Sequence, residues 1–434
     1  MVQINVSQQQ TQQQAKIFEY SQYGKSIYLD NAATTKPAPE VIETMLDALK
    51  NNPANASSLH KSGVKAKIAL ETARNILAQF INAEPSEIFF TSGATESINT
   101  IIKQVAFTFG NTNKKDISNN PKTNKDSTNN KNHIITSAVE HHSVLNTCKF
   151  LEEDGIDVTF LQVDKFGRVN PSDVKTAIEE KENKKVKTIL VSIMHANNEI
   201  GTIQQIEEIS KICKQKNVLF HTDAVQIFGK LPIDVKRINI DFLSASAHKL
   251  HGPKGVGLLY INNGITNKTE GIKLVPFMHG GTQENNFRPG TENIPAIIGF
   301  AKAVELSVAN MEDDARLLRG LWDKLIKQVL GKIPDSSLNG HPTERLPNNV
   351  HFSFKFVEGE AILKYLDEHG IEVSTGSACT SRNLLPSHVL TAIGLKAHEL
   401  HGSIRITMSR YTTEEEVEYC ALMLEEAVKK LRKI

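Results

Sequence analysis

Cysteine is scarce in this chain: there are four in 434 residues, and no two form a C-x-x-C pair. That spacing excludes a ferredoxin-type cluster, the usual structural zinc site and a disulfide scaffold. It suits a reducing, intracellular setting. An excess of one charge is also lacking, because 50 Lys and Arg against 49 Asp and Glu leave +1 at pH 7. No bulk field therefore draws nucleic acid or a membrane surface. No long uncharged apolar run is present, so no membrane-spanning helix is expected. The opening "MVQINVSQQQTQQQ" lacks the apolar centre of a secretory signal, and the first arginine is Arg74, so no Arg-rich presequence is visible. The expectation is a cytoplasmic chain without a membrane or direct nucleic-acid partner, long enough for two or three domains.

What is present is unevenly arranged. Residues 1–26 are glutamine-rich and read as a disordered tail, and 111–132 are almost all Asn, Lys, Ser, Thr and Asp, too polar to offset their ordering entropy. Elsewhere short β-branched runs alternate with amphipathic stretches: "EIFF", "HIITSA", "DVTFLQV", "TILVSIM", "VLFHTDA", "DFLSASA" and "GVGLLYI" are separated by helical spacings. The alternation predicts an α/β fold, a mostly parallel sheet sandwiched by helices. The large domain is expected over 36–311 and a smaller α+β domain over 312–434, with 27–35 packing against the latter. The last helix has threonine at its start, acids in its first turn and bases in its last.

Three cysteines lie on apolar helical stripes: Cys148 with Val144 and Leu151, Cys213 with Ile206 and Ile209, and Cys420 with Val417 and Leu424. Cys379 differs. It sits in "STGSACTS", among small turn-forming residues that leave a thiol accessible.

Ligands on parallel sheets bind beyond the carboxyl ends of the strands. Those ends carry Thr91-Ser92-Gly93-Ala94-Thr95, Glu140-His141-His142, His195-Ala196-Asn197-Asn198, His221-Thr222-Asp223 with Gln226, and Ser246-Ala247-His248-Lys249. Small residues and hydroxyls opening a helix suit a phosphate. An aspartate and a lysine at neighbouring strand ends suit pyridoxal phosphate, with the amine holding the cofactor and the carboxylate its ring nitrogen. His248 with His251, or His141 with His142, lack acidic partners at ligand spacing, so no metal is expected.

Together "YLDNAATT", "FTSGATES", "VSIMHANNEIG", "HTDAVQ", "SAHKLHGPKG", "GTQENNFRPGT" and "STGSACTSRN" resemble the cysteine desulfurases of the Nif/Isc type, within the class-V aminotransferases, from about residue 27 to 431. The resemblance implies an aspartate-aminotransferase-like fold around a seven-stranded type of sheet. It implies that Lys249 binds the cofactor covalently, Asp223 faces the ring nitrogen, and Gln226 and Asn198 lie near the ring hydroxyl. His141 would stack on the ring and serve acid–base steps. Ala94, Thr95, Ser246 and His248 would hold the phosphate, joined by Thr291 from the other subunit of a homodimer. Arg405 and Asn55 match the residues that hold the substrate carboxylate, although Ala56 stands where the family often has proline. Cys379 would be the nucleophile that takes sulfur from L-cysteine, leaving L-alanine, and passes it to an acceptor for iron–sulfur assembly or tRNA thiolation.

"RPGT" departs from the usual R-S-G-T through Pro289, and "KKLRKI" ends without the extension that some relatives use to dock a scaffold protein. A selenocysteine lyase or another class-V pyridoxal-phosphate enzyme is the alternative reading. A non-catalytic sulfur-relay scaffold is a third, opposed by the presence of both Lys249 and Asp223.

Overall fold

The computed structural model describes residues 26–51, 54–109, 132–265, 274–376 and 386–432. The expected tail up to residue 25, the expected insertion up to residue 131, and Cys379 lie outside the described residues. The described chain forms two compact units, one of residues 34–198 and 202–311, the other of residues up to 33, 199–201 and 312–434.

The strand β1 (Ile27–Tyr28) belongs to the smaller unit. The larger unit holds β2 (Ile88–Thr91), β3 (Asn132–Ser137), β4 (Asp157–Leu161), β5 (Lys187–Ser192), β6 (Leu219–Asp223), β7 (Phe242–Ser246) and β8 (Gly257–Ile261). They make one seven-stranded sheet in the order β2-β8-β7-β6-β5-β3-β4. β8 runs antiparallel to both neighbours and the remaining pairs are parallel. The strands read as continuous apolar runs because they are covered on both faces; β3, β6 and β7 are buried at every position. The helices Ala94–Phe109 and His142–Glu153 bury Ile98, Ile101, Val105, Val144, Cys148 and Leu151 against Ile134, Leu190 and Phe242. Each such aliphatic side chain contributes roughly 1.5–3 kcal/mol. Cys148 and Cys213 are buried on their expected helices, in no disulfide among the described residues.

Two histidines inside this sheet are bridged between strands. His133 meets Thr188 Oγ1 at 3.0 Å and Thr159 Oγ1 at 2.8 Å, and His221 meets Ser192 Oγ at 2.8 Å and Ser244 Oγ at 3.0 Å. Burial depresses His133 to about 4, and His195 and His221 to about 3. The folded state therefore holds these rings neutral, whereas the unfolded chain protonates them below about 6.5. Their contribution is intact above that value and is lost as pH falls towards the folded values, at up to ~1.4 kcal/mol per ring per pH unit. Glu140 and Asp223, raised to about 8 and about 6, oppose this as acid is added. The depressed histidines, joined by His248 and His351, outnumber them. The melting temperature is expected to fall steadily from pH 6.5 to 4.5; a flat or rising profile would contradict this reading.

In the smaller unit β1 pairs in parallel with β11 (Ile371–Glu372), while β9 (Ser336–Asn339), β10 (Asn349–Phe354) and β12 (Ser403–Thr407) form an antiparallel sheet in the order β12-β10-β9. The helices Gly359–Glu368 and Glu414–Leu431 complete this α+β unit, sharing a core with Leu29, Phe352, Ile362, Leu366, Ile404, Cys420 and Leu424. Thr413 caps the last helix, accepting from Glu416 N at 3.2 Å while its own N–H donates to the Glu416 carboxylate at 3.0 Å.

The division between the units falls within the helix Ile294–Lys332. By length and composition this helix could cross a membrane. Ala296, Ile297, Phe300, Ala301 and Val304 are buried, and Lys302 pairs with Glu305 on its surface, as on a core helix.

Candidate active site

In the larger unit His141, Asn198, Asp223 and Ser246 follow or end β3, β5, β6 and β7, so all leave the sheet at its carboxyl edge. Ala94 and Thr95 open the helix after β2, behind Gly93 at φ +156. A Cβ at Gly257 would stand 2.6 Å from Gly93 Cα, so this glycine lets β8 lie against the turn. A Cβ at Gly93 would meet only Ser246 Oγ, at 4.0 Å. The first N–H groups of the helix thus face a small open cradle bordered by a hydroxyl.

Lys249 ends a 3-10 turn, Ala247–Lys249, directly after β7. The turn is tightly fixed. Ala247 O accepts from Leu250 N and Gly252 N, both at 3.1 Å, and His248 O accepts from Thr35 N at 2.9 Å. His248 Nδ1 lies 3.1 Å from Thr34 Oγ1. Asp223 is buried, and burial raises it to about 6, opposed by the Val225 N–H at 3.0 Å and the charge of Lys249. Gln226 is buried one turn further on. His141 caps the helix His142–Glu153, and its Nδ1 accepts from Ser143 N at 3.2 Å. That bond assigns the proton of the neutral ring to Nε2.

Glu140, between β3 and His141, adds a residue to the site that no sequence motif marks. Its carboxyl is fully buried and receives Ser137 Oγ at 2.7 Å and Met194 N at 2.9 Å, tying the ends of β3 and β5 together beside His141. Burial, with the nearby Asp223 charge, pushes Glu140 up to about 8, so it is protonated at neutral pH and leaves Asp223 as the ionised carboxylate. Only the glutamate's position after a strand was visible in the sequence; its burial was not.

Thr291 is exposed, at the end of an unusual loop. Glu284, Asn285 and Asn286 lie in succession in the left-handed region at φ 47, 55 and 65. This costs roughly 1–2 kcal/mol for a residue such as glutamate, less for asparagine. The Glu284 carboxylate is buried, held by Arg74 at 2.7 and 2.8 Å and by Phe90 N at 2.9 Å. Arg288 pairs with Glu96, on the first turn of the helix at the cradle, at 2.9 Å. Gln283 Oε1 accepts from Gly290 N at 3.1 Å.

In the smaller unit Arg405 lies on β12, only 2 % exposed, with its Nη2 2.8 Å from Asp30 Oδ1. Its backbone bridges Ser374, through Arg405 N to Ser374 O at 2.7 Å. His351 is its cross-strand neighbour on β10. Asn55 is exposed in the larger unit and its Oδ1 accepts from Ser57 N at 2.8 Å, closing its own turn.

The donor set fits pyridoxal phosphate: a cradle of helix N–H groups and a serine hydroxyl for the phosphate, a buried carboxylate for a cationic ring nitrogen, and a lysine on a fixed turn. The comparisons agree. Residues 27–420 match the family described as Aminotransferase class-V. The cysteine desulfurase IscS of Dictyoglomus turgidum is 48% identical over 94% of this chain and 96% of its own. That of Methanosarcina thermophila is 48% identical over 94% of this chain and 93% of its own. Among solved structures, a NifS-like protein matches with TM-score 0.81 and 37% identity over 94% of this chain and all of its own. SspA in complex with cysteine matches with TM-score 0.72 and 37% identity over 89% of this chain and 99% of its own. The chain belongs to the class-V aminotransferase family of pyridoxal-phosphate enzymes, in its cysteine desulfurase branch.

Proposed function

We propose that this chain, a pyridoxal-phosphate-dependent cysteine desulfurase, works as a cytoplasmic homodimer that moves sulfur from L-cysteine to Cys379 and then to an acceptor protein for iron–sulfur assembly or tRNA thiolation. The observation that carries the reading is the junction of Asp223 and Lys249 at adjacent strand ends, beside the cradle at Gly93. The bound cofactor supplies an electron sink for the substrate's Cα. Asp223 holds the ring nitrogen's positive charge, with Glu140 neutral behind it. Ala94, Thr95, Ser246 and His248 bind the phosphate, and Asn198 and Gln226 the ring hydroxyl. Lys249 moves the Cα proton. His141, with its proton on Nε2, would serve as a proton donor at the cofactor. Arg405 and Asn55 bind the substrate carboxylate, Arg405 exchanging its Asp30 contact for the substrate.

The Cys379 thiolate attacks the substrate sulfur, and the electrons of the broken carbon–sulfur bond stay with carbon. Alanine and an enzyme persulfide result without an outside oxidant. Cys148, Cys213 and Cys420 are buried and form no disulfide among the described residues, which supports a reducing compartment. Dimerisation is supported by an apolar face: Ile42, Leu46 and Leu49 recur along the helix Pro39–Asn51, and Val64 and Ile68 along Lys61–Phe80, all at least 46% exposed.

The test is product yield. Cofactor-loaded protein given L-cysteine and a thiol reductant should release alanine and sulfide in equal amounts. Pyruvate and ammonia in their place would point to an elimination enzyme, and a keto acid with retained nitrogen to an aminotransferase.

A further inference from the structure

Thr291 is exposed, yet the loop before it is held by buried charge and a strained backbone. Three anchors converge on it. Glu284 is fixed by Arg74 and by Phe90 N on β2, at 2.7 to 2.9 Å. Arg74 itself donates to Ile88 O at 2.7 Å, so both members of the pair are locked to the same strand. Arg288 is fixed to Glu96, which also accepts from Ser92 N at 2.7 Å within the turn at the cradle. Gln283 reaches across the loop to Gly290 N, the residue before Thr291. The rings of Phe287 and Phe89 pack at a centroid separation of 4.7 Å, tilted by 47°. A solvent-facing threonine needs none of this for folding. Strain held by buried partners is a mark of a segment whose geometry is used.

We infer that Arg74, Glu284 and Gln283 are positioning residues which hold the left-handed turn so that Thr291 is presented to the cofactor phosphate of the second subunit. The inference rests on the reading that Thr291 acts across the dimer. It adds that a chain's own Arg74–Glu284 pair serves its partner's cofactor. Their effect passes through the register of Gly290 and Thr291, which Gln283 holds at Gly290 N.

Mixed dimers of the full chain test this. One subunit carries Lys249→Ala, so only its mate holds the cofactor covalently. Glu284→Gln is placed either in the Lys249→Ala subunit or in the cofactor-holding one. The readout is cofactor retained after dialysis, from its visible absorption. Retention should fall about tenfold when Glu284→Gln is in the Lys249→Ala subunit, and stay unchanged in the other arrangement. Equal loss in both arrangements, or loss only in the cofactor-holding subunit, would overturn the inference. Glu284→Gln removes one charge of a buried pair and can unfold the chain. Gln283→Ala, which leaves the pair intact, is therefore run in parallel and should show the same direction; no effect of either variant in a folded dimer also overturns it. Thr291→Ala in the same two arrangements separates the two failures. If it too has no effect across the dimer, the underlying reading of Thr291 fails; if it acts across the dimer while the other variants do not, only the positioning inference fails.

Discussion

Lys249→Ala is expected to abolish turnover of L-cysteine, by on the order of 10⁴-fold or more, and to leave a protein that loses its yellow cofactor on dialysis. The amine is placed by the backbone. Its turn is closed by Leu250 N and Gly252 N on Ala247 O, and a Cβ at Gly252 would come within 2.7 Å of that oxygen. No other lysine occupies that turn. Alanine release and visible absorption check the prediction together. Added methylamine should restore a small part of the rate, because the lost group is an amine and not a packing element. A variant with full activity would remove Lys249 from the chemistry.

Asp223→Asn is expected to lower the rate by about 10²–10³-fold, the cost of removing one preorganised electrostatic partner. Asparagine keeps the shape and the buried position but cannot hold a cationic ring nitrogen. The pH dependence adds a second readout. Asp223 stands at about 6 before the cofactor binds, raised by burial, so it is ionised above that value and neutral below it. Cofactor affinity of the native protein should fall as pH drops through this region, and the affinity of Asp223→Asn should not. Parallel profiles for the two proteins would show that the carboxylate does not set the binding.

Much of this was legible in the residues. Short apolar, β-branched runs marked the strands of the large sheet, and at or beyond their ends stood His141, Asn198, Asp223 and Ser246. The rule that ligands sit at carboxyl ends of parallel strands turned those positions into a site. Thr413 with Glu416, three residues on, announced the last helix. What stayed hidden depends on burial or on distant pairs. Glu140 stood in plain view between a strand and a histidine, but its protonation is set by complete burial beside Asp223. Arg405 and Asp30 are 375 residues apart, and Arg74 and Glu284 are 210 apart. No spacing rule links such positions. The left-handed turn was equally opaque, since Glu-Asn-Asn carries no glycine to announce it.

The proposed activity turns on one sulfur atom. The most direct measurement is mass spectrometry of the cofactor-loaded protein after L-cysteine is added without reductant. Cys379 is expected to carry one extra sulfur. Cys148 and Cys420 should carry none, since burial raises both thiols, Cys420 to about 12, and withholds them as nucleophiles. Cys379→Ser should keep its cofactor and gain no sulfur at all. Sulfur found on another cysteine, or alanine formed at the native rate by Cys379→Ser with no persulfide on the protein, would contradict the central claim.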